Sequence, residues 1–488
     1  MRTRLGLFIL FALIGACGGC DGSQRAAKTD PGGAAATEQG ALQQSDRPNL
    51  ILISIDTLRA DHLGCYNYPR PTSPTIDALA SEGVVFDDAS TTSPWTLPSH
   101  ASMLTGLYPR RHGLRLPVNS MRKARQAAEA LGVETRRYEV SQTTLAEHLG
   151  RAGYATAGFV NFTLVSERYG FDRGFHQFSH IENDSGSSKP SKIAQHAVRW
   201  LESPPSEPFF LFLHFYDVHS PYQSLPKYRE EFVNDYDGPL GPSGFLHFKR
   251  ILNGNYQPTD ADVQYLEDIY DAGIRQLDDG LRRIVASLEK SGLMEDTLIV
   301  ITSDHGEEFM EHGGVSHGAD HYQEVMRIPW VMRGPDVPPG KRVQTMVSLV
   351  DLMPTVLGVL GIDLPGDLDG VDVGSTWRSD AQPIERYLFA EAEMSAGFEL
   401  DLEAVDVKKA VRNSRFKLHY NTAAQTKELY DLLSDPGETQ NVADAGHRAG
   451  DQLMRRLEQF LTDPVTSQPV APLSPEQRKS LKSVGYVD

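Results

Sequence analysis

The sequence predicts an α/β protein: a large, mostly parallel sheet with helices on both faces, plus a small C-terminal antiparallel sheet with a helix. Three near-continuous apolar runs rich in β-formers, 50–55, 209–216 and 297–302, are typical of strands covered on both faces. Helical patterns lie between these runs, and such alternation favours parallel pairing. After about residue 380 short strand-like runs are separated by polar turns, which indicates antiparallel pairing.

Two helices of the body are marked by their ends. Ser73 and Pro74 begin a short helix that ends near Gly83, because serine favours the cap position and proline the first helical position. Thr259 begins a long helix that ends at Gly292, and apolar residues recur between these two positions at helical spacing.

The C-terminal part contains short elements only. Strand-like runs cover 387–390, 408–411 and 416–420, and a helix is predicted from about residue 451 to 461. A further helix signature extends from 474 to 485. Because no polar cluster here suits catalysis, we expect this unit to pack against the body and to shape one wall of the functional site.

The composition is that of an acidic globular protein of 488 residues, long enough for one large domain or two unequal domains. Its 47 basic and 65 acidic side chains give a net charge of −18, which argues against nucleic-acid binding because that needs a basic face. Apolar residues make up 40% of the chain, which excludes disordered, collagen-like and multi-span membrane classes. Of three cysteines, Cys17 and Cys20 are N-terminal, so the body has no disulfide framework.

The N-terminus predicts export. Arg2 and Arg4 precede an apolar run, 5–14, that is too short to cross a bilayer, since crossing takes about 20 residues. The stretch I-G-A-C that ends at Cys17 resembles a bacterial lipobox, in which the cysteine is lipidated. The alternative is an ordinary cleaved signal with an incidental cysteine. An aspartate directly after the lipidated cysteine is associated with retention in the inner membrane. Gly18 follows Cys17 here, so we expect an exported protein that is anchored by lipid in the bacterial envelope, in the outer membrane.

Four regions follow from these observations. Residues 1–16 are predicted to be a lipoprotein signal peptide. Residues 17–47, rich in Gly, Ala, Gln, Ser and Thr, are predicted to be a flexible tether, since they have too few apolar side chains to form a core. Residues 48–378 form the predicted catalytic domain, and residues 379–488 the predicted C-terminal subdomain.

Acidic and histidine side chains follow each of the three predicted buried strands. The first strand leads into Asp56, the second into Asp217 and His219, and the third into Asp304 and His305. Ligands of open α/β sheets bind outside the carboxyl ends of the strands. The pattern therefore predicts a metal and substrate site at that edge of the sheet.

Several long motifs, in order, resemble those of the sulfatase family. The segment T-L-P-S-H-A-S-M-L-T-G-L-Y-P-R-R-H-G at 96–113 resembles the sulfatase signature. Further matches are P-N-L-I-L-I-S-I-D-T-L-R-A-D-H-L-G from residue 48, G-F-D-R-G-F at 170–175, P-F-F-L-F-L-H-F-Y-D-V-H-S-P-Y at 208–222, T-S-D-H-G-E-E at 302–308, H-G-A-D-H-Y-Q-E-V-M-R-I-P at 317–329 and E-L-Y-D-L-L-S-D-P-G-E-T-Q-N at 428–441. The resemblance implies an alkaline-phosphatase-like fold and a metal-dependent hydrolase of sulfate esters or related anionic esters.

The chain departs from the family pattern inside the expected active site. Thr96 occupies the position of the cysteine or serine that sulfatases convert to formylglycine. Because the threonine carbinol carbon carries a methyl group, oxidation could give only a ketone, and no formylglycine is expected. His100 replaces the signature arginine, Thr57 replaces a second aspartate, and Asn161 and Thr163 stand roughly where the family has Lys and His. An unmodified threonine resembles the phosphoryl-transfer branch of the superfamily, which includes lipoteichoic acid synthases and phosphoethanolamine transferases.

The predicted metal ligands are Asp56, Thr96, Asp304 and His305, and they suit one divalent cation. The sulfatase resemblance implies Ca²⁺, while carboxylates plus imidazole suit Mn²⁺, Mg²⁺ or Zn²⁺ as well. A hydroxyl on a metal has a lowered pKa and can act as a nucleophile near neutral pH. The residues therefore predict that Thr96 both binds the metal and attacks the substrate.

Three further positions complete the predicted site. The resemblance assigns catalytic roles to His219 and His317, which match positions that touch the transferred group or protonate the leaving oxygen. His100 is expected to bind substrate and, with these two histidines, to supply local positive charge for an anionic ester. Arg59, which matches the first motif, is also predicted to bind substrate; the alternative is that Arg59 and Asp61 brace the metal strand.

Three functions remain open from the sequence. The first is hydrolysis of sulfate esters. The second is a phosphodiesterase or phosphotransferase activity that uses unmodified Thr96, and the third is a lipid-anchored binding protein without catalysis. The expected substrate is a small anionic ester or a sulfated or phosphorylated glycan or lipid, and the expected membrane contact is the lipid on Cys17.

Overall fold

The computed structural model describes residues 47–115, 139–181, 191–206, 208–241, 250–251, 254–378, 386–393, 407–444 and 446–462. The predicted signal peptide, the tether up to residue 46 and the predicted helix at 474–485 lie outside these residues. The predicted domain boundary after residue 378 adjoins one of the gaps and stays a prediction. None of the helices in the described ranges combines the length and the apolarity needed to cross a membrane.

The strands are β1 (Asn49–Ile55), β2 (Val84–Phe86), β3 (Ala89–Ser90), β4 (Ala155–Val160), β5 (Gln177–His180), β6 (Phe209–Phe215), β7 (Thr297–Ser303), β8 (Glu308–Phe309), β9 (Val315–Ser316), β10 (Arg327–Ile328), β11 (Trp330–Arg333), β12 (Lys341–Val343), β13 (Val347–Ser348), β14 (Leu388–Glu393), β15 (Val407–Arg412), β16 (Phe416–Asn421) and β17 (Thr426–Asp431).

The α-helices are α1 (Pro74–Ser81), α2 (Thr96–Thr105), α3 (Pro109–His112), α4 (Leu145–Arg151), α5 (Lys192–Leu201), α6 (Pro226–Phe232), α7 (Asp260–Ser291), α8 (Gln323–Met326), α9 (Leu352–Val359), α10 (Ser375–Arg378) and α11 (Arg448–Thr462). Short 3₁₀ turns cover Ala60–His62, Gly64–Tyr66, Thr163–Val165, Glu167–Tyr169 and Leu349–Asp351.

The large sheet has eight strands in the order β12-β2-β11-β7-β1-β6-β4-β5 within the described residues. Its centre is parallel, with β1 between β6 and β7, so that the three apolar runs of the sequence are neighbours as well as strands. Strand β11 pairs antiparallel with β7 and with β2. The prediction of a large, mostly parallel sheet is confirmed.

Both faces of this sheet are covered, because successive side chains of a strand point to opposite faces. Leu50 and Leu52 of β1 contribute to one apolar cluster, and Ile51 and Ile53 contribute to a second cluster that includes the inner face of α7. Helix α7 has the predicted ends: Thr259 accepts a hydrogen bond from the Asp262 backbone N–H, and Gly292 adopts the left-handed conformation that terminates helices.

The start of α1 differs from expectation in one detail. Ser73 occupies the cap position before Pro74, but its hydroxyl does not cap the helix. Instead it donates to the carboxylate of Asp77 and accepts from the backbone N–H of Gly64. The serine therefore ties the helix to the preceding turn.

The C-terminal unit is a four-stranded antiparallel sheet, β14-β15-β16-β17, packed against α11. The three predicted strands and the helix are confirmed, and β17 is an additional strand. Its small core consists of Val411, Leu418, Leu429, Leu453 and Leu457.

Strand β14 joins this unit to the catalytic body through Glu391. The Glu391 backbone N–H donates to the Thr92 carbonyl at 3.0 Å, and its carbonyl accepts from the Ser93 hydroxyl at 2.8 Å. Its carboxylate accepts from the Arg110 backbone N–H and from Lys409 Nζ, both at 2.8 Å. The C-terminal sheet is thus bonded to the segment that leads into α2.

Candidate active site

The carboxyl ends of β1 and β7 bring Asp56, Asp304 and His305 together. The pairing of Ile55 with Ser303 at the end of the two strands makes Asp56 and Asp304 neighbours. One ligand atom from each of the three residues lies within 4.8 Å of the others, and all three side chains are buried. The predicted cluster at this edge of the sheet is therefore present.

Thr96 lies against this cluster at the N-terminus of α2. Its Oγ1 is 3.5 Å from Asp56 Oδ2 and 3.4 Å from His305 Nε2. Helix N-termini carry unpaired backbone N–H groups and a partial positive charge, which favour an anion. The hydroxyl thus lies where a metal ligand and an attacking group for an anionic ester would both be needed.

His305 presents one ring nitrogen to the carboxylates. Its Nδ1 donates to the Gly306 carbonyl at 2.9 Å, which leaves the lone pair on Nε2. That Nε2 is 3.3 Å from Asp304 Oδ2 and 3.7 Å from Asp56 Oδ1. A backbone hydrogen bond that fixes the tautomer in this way is common for metal-binding histidines.

The two aspartates show the electrostatic signature of a cation site. Asp56 Oδ1 and Asp304 Oδ2 are buried without a hydrogen-bond partner among the described residues. Burial, with the neighbouring Asp56 carboxylate as the next cause for Asp304, raises the pKa of both groups to about 7. Two buried carboxylates, an imidazole nitrogen and a hydroxyl fit a divalent cation, because such an ion would satisfy the orphaned oxygens.

His100, which is predicted to bind substrate, contacts two groups of the protein. Its Nδ1 donates to the Thr96 carbonyl at 3.0 Å and its Nε2 accepts from the Ser54 hydroxyl at 2.9 Å. Burial lowers the pKa of His100 to about 3, so the ring is neutral. Both ring nitrogens are therefore engaged in holding the first turn of α2 against β1.

Arg59 contacts side chains and main chain of the protein, and its role in substrate binding stays a prediction. Its guanidinium forms two hydrogen bonds with the Asp61 carboxylate and donates to Glu311 Oε1 and to the Glu307 carbonyl. These acidic partners raise the pKa of Arg59 despite its burial, and the Arg59 guanidinium holds the pKa of Asp61 below its ordinary range. Arg59 braces the loop after β1 against the loop after β7.

His219 and His317 are both brought to the cluster. The ring centroid of His317 is 4.3 Å from that of His305 and 5.0 Å from that of His219. His219 Nδ1 donates to the Ser220 carbonyl at 2.8 Å, and burial lowers the pKa values of His219 and His317, the latter to about 4. Both rings therefore lie beside the cluster, and their catalytic roles stay predictions.

Asp217 does not join the metal cluster. Its carboxylate accepts from the Ser191 hydroxyl at 3.4 Å, and Asn161 also hydrogen-bonds to it. Burial raises the pKa of Asp217 to about 6. Of the polar residues after the second strand, the histidine reaches the site and the aspartate supports the sheet edge.

Sequence reasoning missed two residues of the site. His214 of β6 is fully buried, pairs in register with Ser54, and has Nε2 3.3 Å from Asp56 Oδ2. Glu307 is fully buried, with Oε1 2.8 Å from His317 Nδ1. The available signals were a histidine inside an otherwise apolar strand and an acidic residue directly after the third metal motif.

Thr57 follows Asp56 in a left-handed conformation, φ 58°, which is uncommon for a β-branched residue. Its backbone N–H donates to Asp304 Oδ1 at 3.3 Å. The turn after β1 is thus shaped so that the main chain holds one oxygen of Asp304, while the other oxygen faces the cluster.

A mostly parallel sheet with covered faces and a metal-type cluster at its carboxyl edge is the organisation of alkaline-phosphatase-like hydrolases. A family model described as Sulfatase matches residues 48–362, and one described as N-sulphoglucosamine sulphohydrolase, C-terminal, matches residues 311–465. The chain belongs to the sulfatase family and is a hydrolase of ester bonds.

The relatives share most of their length with this chain at low identity. "Uncharacterized sulfatase YidJ" of Escherichia coli is 26% identical, over 82% of this chain and 83% of the relative. "Delta 4,5-hexuronate-2-O-sulfatase" of Bacteroides thetaiotaomicron is 24% identical, over 83% of this chain and 86% of the relative. The crystal structure of the phosphonate monoester hydrolase of Agrobacterium radiobacter superimposes with a TM-score of 0.64 at 23% identity, covering 85% of this chain and 95% of that one.

Proposed function

We propose that the protein hydrolyses anionic esters by direct attack of the unmodified Thr96 hydroxyl, with one divalent cation held by Asp56, Thr96, Asp304 and His305. The observation that carries this proposal is the position of Thr96 Oγ1, 3.5 Å and 3.4 Å from atoms of two of the other ligands. Family membership makes sulfate esters the first substrate class. The sulfatase relatives, one of them named for a hexuronate 2-O-sulfate, support a sulfated sugar as the organic part.

The side chains divide the chemistry among them. A divalent cation at these ligands would supply Lewis-acid stabilisation to the Thr96 oxygen and to the anionic group under attack. Thr96 Oγ1 forms the new bond to sulfur or phosphorus, and its proton passes to Asp56 Oδ2, 3.5 Å away. The bond to the leaving oxygen breaks, and that oxygen takes a proton from His317. Water then hydrolyses the ester on Thr96, while His219 contacts the transferred group.

A second activity, on phosphoric esters, is favoured by Thr96 itself. The threonine side chain cannot yield the aldehyde hydrate that sulfatases use, whereas an unmodified hydroxyl suits phosphoryl transfer. The structural likeness to a phosphonate monoester hydrolase is compatible with this activity.

Parallel assays separate these activities. Turnover of p-nitrophenyl sulfate, p-nitrophenyl phosphate and bis-p-nitrophenyl phosphate should be measured with Ca²⁺, Mg²⁺, Mn²⁺ and Zn²⁺. Dominant sulfate turnover would contradict the phosphoric ester activity. Absence of turnover with every metal would contradict catalysis and leave the binding protein as the explanation. Mass spectrometry of the peptide 87–110 should find Thr96 unmodified.

We further propose that Cys17 carries lipid and anchors the exported protein to the bacterial envelope, in the outer membrane. The sequence I-G-A-C after the apolar run supports this proposal. Full-length protein from a bacterial host should partition into the detergent phase of Triton X-114. The Cys17→Ser variant should remain unprocessed or move to the aqueous phase, whereas the matched Cys20→Ser variant should behave as wild type. An aqueous, unacylated wild-type protein would contradict the anchor.

A further inference from the structure

Glu307 is a buried carboxylate that belongs neither to the metal cluster nor to a salt bridge with lysine. Its main chain is clamped on three sides: its N–H donates to the Glu324 carbonyl at 3.1 Å, its carbonyl accepts from Arg59 Nη1 at 3.0 Å, and the preceding Gly306 N–H donates to the Val325 carbonyl at 2.7 Å. The side chain is fully buried. A carboxylate placed this rigidly can fix the orientation of whatever it contacts.

The contact is with His317. The antiparallel pair β8–β9 places Glu308 opposite Ser316, so that the residues just outside this pair, Glu307 and His317, are neighbours. Glu307 Oε1 lies 2.8 Å from His317 Nδ1. The chain thus contains a Glu–His hydrogen bond at the site.

The other side of the imidazole lies in the active site. The His317 ring is stacked at a tilt near His305 and edge-on to His219. Because Nδ1 contacts Glu307, the proton given in the proposed step comes from Nε2. A histidine oriented through one nitrogen by a carboxylate, with the other nitrogen presented to substrate, is a common acid–base arrangement.

We propose that Glu307 is a positioning residue that, through its hydrogen bond to Nδ1, orients His317 as the donor of the proton to the leaving oxygen. This inference rests on the proposed function. In the step, the sulfur–oxygen or phosphorus–oxygen bond breaks and the leaving oxygen keeps the electron pair. The Glu307–His317 pair holds two protons at the start: the one on Nε2 passes to that oxygen, and the other stays between Nδ1 and Glu307. No other reactant is consumed.

The leaving group distinguishes this role from a merely structural one. A p-nitrophenolate leaves readily without a proton, whereas phenolate needs protonation in the transition state. Loss of a general acid typically costs about 10²–10⁴-fold for a poor leaving group. A structural defect lowers turnover of both esters by the same factor.

The experiment compares Glu307→Gln with a matched control, Glu308→Gln, in the full-length metal-loaded protein. The Glu308 carboxylate accepts from the backbone N–H groups of His312 and Gly314. For phenyl and p-nitrophenyl esters of the acid that the wild type hydrolyses, Glu307→Gln should lower kcat on the phenyl ester about 100-fold and on the p-nitrophenyl ester less than about threefold. The control should change both esters equally. Equal losses in Glu307→Gln, or no loss, would overturn the proposal.

A spectroscopic measurement, which needs no turnover, tests the role of Glu307 independently of the proposed function. In ¹⁵N spectra of the imidazoles, with His317→Gln used for assignment, wild-type His317 should show a single fixed hydrogen-bonding pattern at Nδ1. Glu307→Gln should change that pattern, while metal content by mass spectrometry stays at the wild-type value. An unchanged His317 spectrum would overturn the inference even if esters are hydrolysed. An inactive wild type with the expected spectral change would overturn the proposed function alone.

Discussion

Buried carboxylates occur in two regions of this molecule with opposite electrostatics. In the active site, the ion-pair partners of Asp56 and Asp304 among the described residues are all histidines, and the pKa of each carboxyl is raised to about 7 by burial. Beside the C-terminal sheet, Glu438 is equally buried, yet Lys417 and His419 hold its pKa down to about 2.

The difference lies in the supply of positive charge, not in burial. Glu438 has Lys417 Nζ at 3.0 Å, His419 Nε2 at 3.1 Å and the Gln323 backbone N–H at 2.7 Å. The active-site pair leaves two oxygens without hydrogen-bond partners. The first arrangement is electrostatically complete and structural, whereas the second needs a cation from outside the chain. A buried acidic group therefore indicates a metal site only when the protein has not already neutralised it.

The largest expected effect is on catalysis. Thr96→Ala should lower kcat by several orders of magnitude, on the order of 10⁶-fold, because the attacking oxygen is removed. Thr96→Ser should keep part of the activity. Thr105→Ala, at the other end of the same helix, is the matched control. A substantial rate in Thr96→Ala would show that water attacks and that Thr96 only positions the metal.

Removing one active-site carboxylate should separate function from stability. Asp304→Asn should lower metal content and abolish turnover, because the site has few protein ligands. In chelator at pH 8 the same change should raise the melting temperature, since an unpaired buried charge is removed. Metal analysis and thermal unfolding with EDTA test both outcomes. A melting temperature below that of chelated wild type would contradict the comparison.

Removing the buried carboxylate beside the C-terminal sheet should instead lower stability. Glu438→Gln leaves Lys417 buried without its carboxylate, so the free energy of unfolding should fall by about 3–5 kcal/mol. Metal content should stay at the wild-type value. Adding Lys417→Met should recover part of the loss, which denaturant unfolding of the double variant would measure. Loss of metal in Glu438→Gln would show that the two regions are coupled.

The smallest expected effect is in the pH dependence of stability. The pKa of about 7 for Asp56 and Asp304 lies above the ordinary value of 3.8, so the folded protein binds protons that the unfolded chain releases. The contribution of these two carboxyls to stability in chelator should therefore fall as pH rises from about 4 to about 7. The pKa of about 2 for Glu438 lies below its ordinary 4.5, so its stabilisation is complete above pH 4.5 and is lost as pH falls toward 2.

In urea with EDTA, the free energy of unfolding of wild type relative to Asp304→Asn should thus decline on the neutral side of this pH range. Adding a divalent cation should remove the decline on the neutral side and leave the acid side unchanged, because the cation compensates only the active-site pair. Identical profiles with and without metal would contradict the assignment of the site.

The parts of the site that were predictable follow from position at strand ends. Asp56, Asp304 and His305 come directly after apolar runs, and parallel strands bring such residues to one edge. The three central strands were predictable because both-face burial leaves a continuous apolar run. Strand β17 was harder, because its sequence, T-K-E-L-Y-D, does not alternate polar and apolar residues.

Sequence alone could not show all the protein contacts of two predicted substrate-binding residues. Arg59 and His100 each have a partner from a position distant in sequence. Arg59 meets Glu311 across the sheet edge, and His100 meets Ser54 of β1. Local sequence does not show whether a polar side chain is already satisfied.

The hydrogen bonds between β14 and the segment before α2 limit where the chain can be truncated or joined to that of a relative. Glu391 holds the main chain at Thr92 and Ser93, only a few residues before the catalytic threonine. A fragment ending at residue 378 would lack these hydrogen bonds, so the residues just before Thr96 would have no partner strand. Chimaeras that exchange C-terminal halves among sulfatase relatives should therefore carry 386–393 from the same parent as the residues that precede α2.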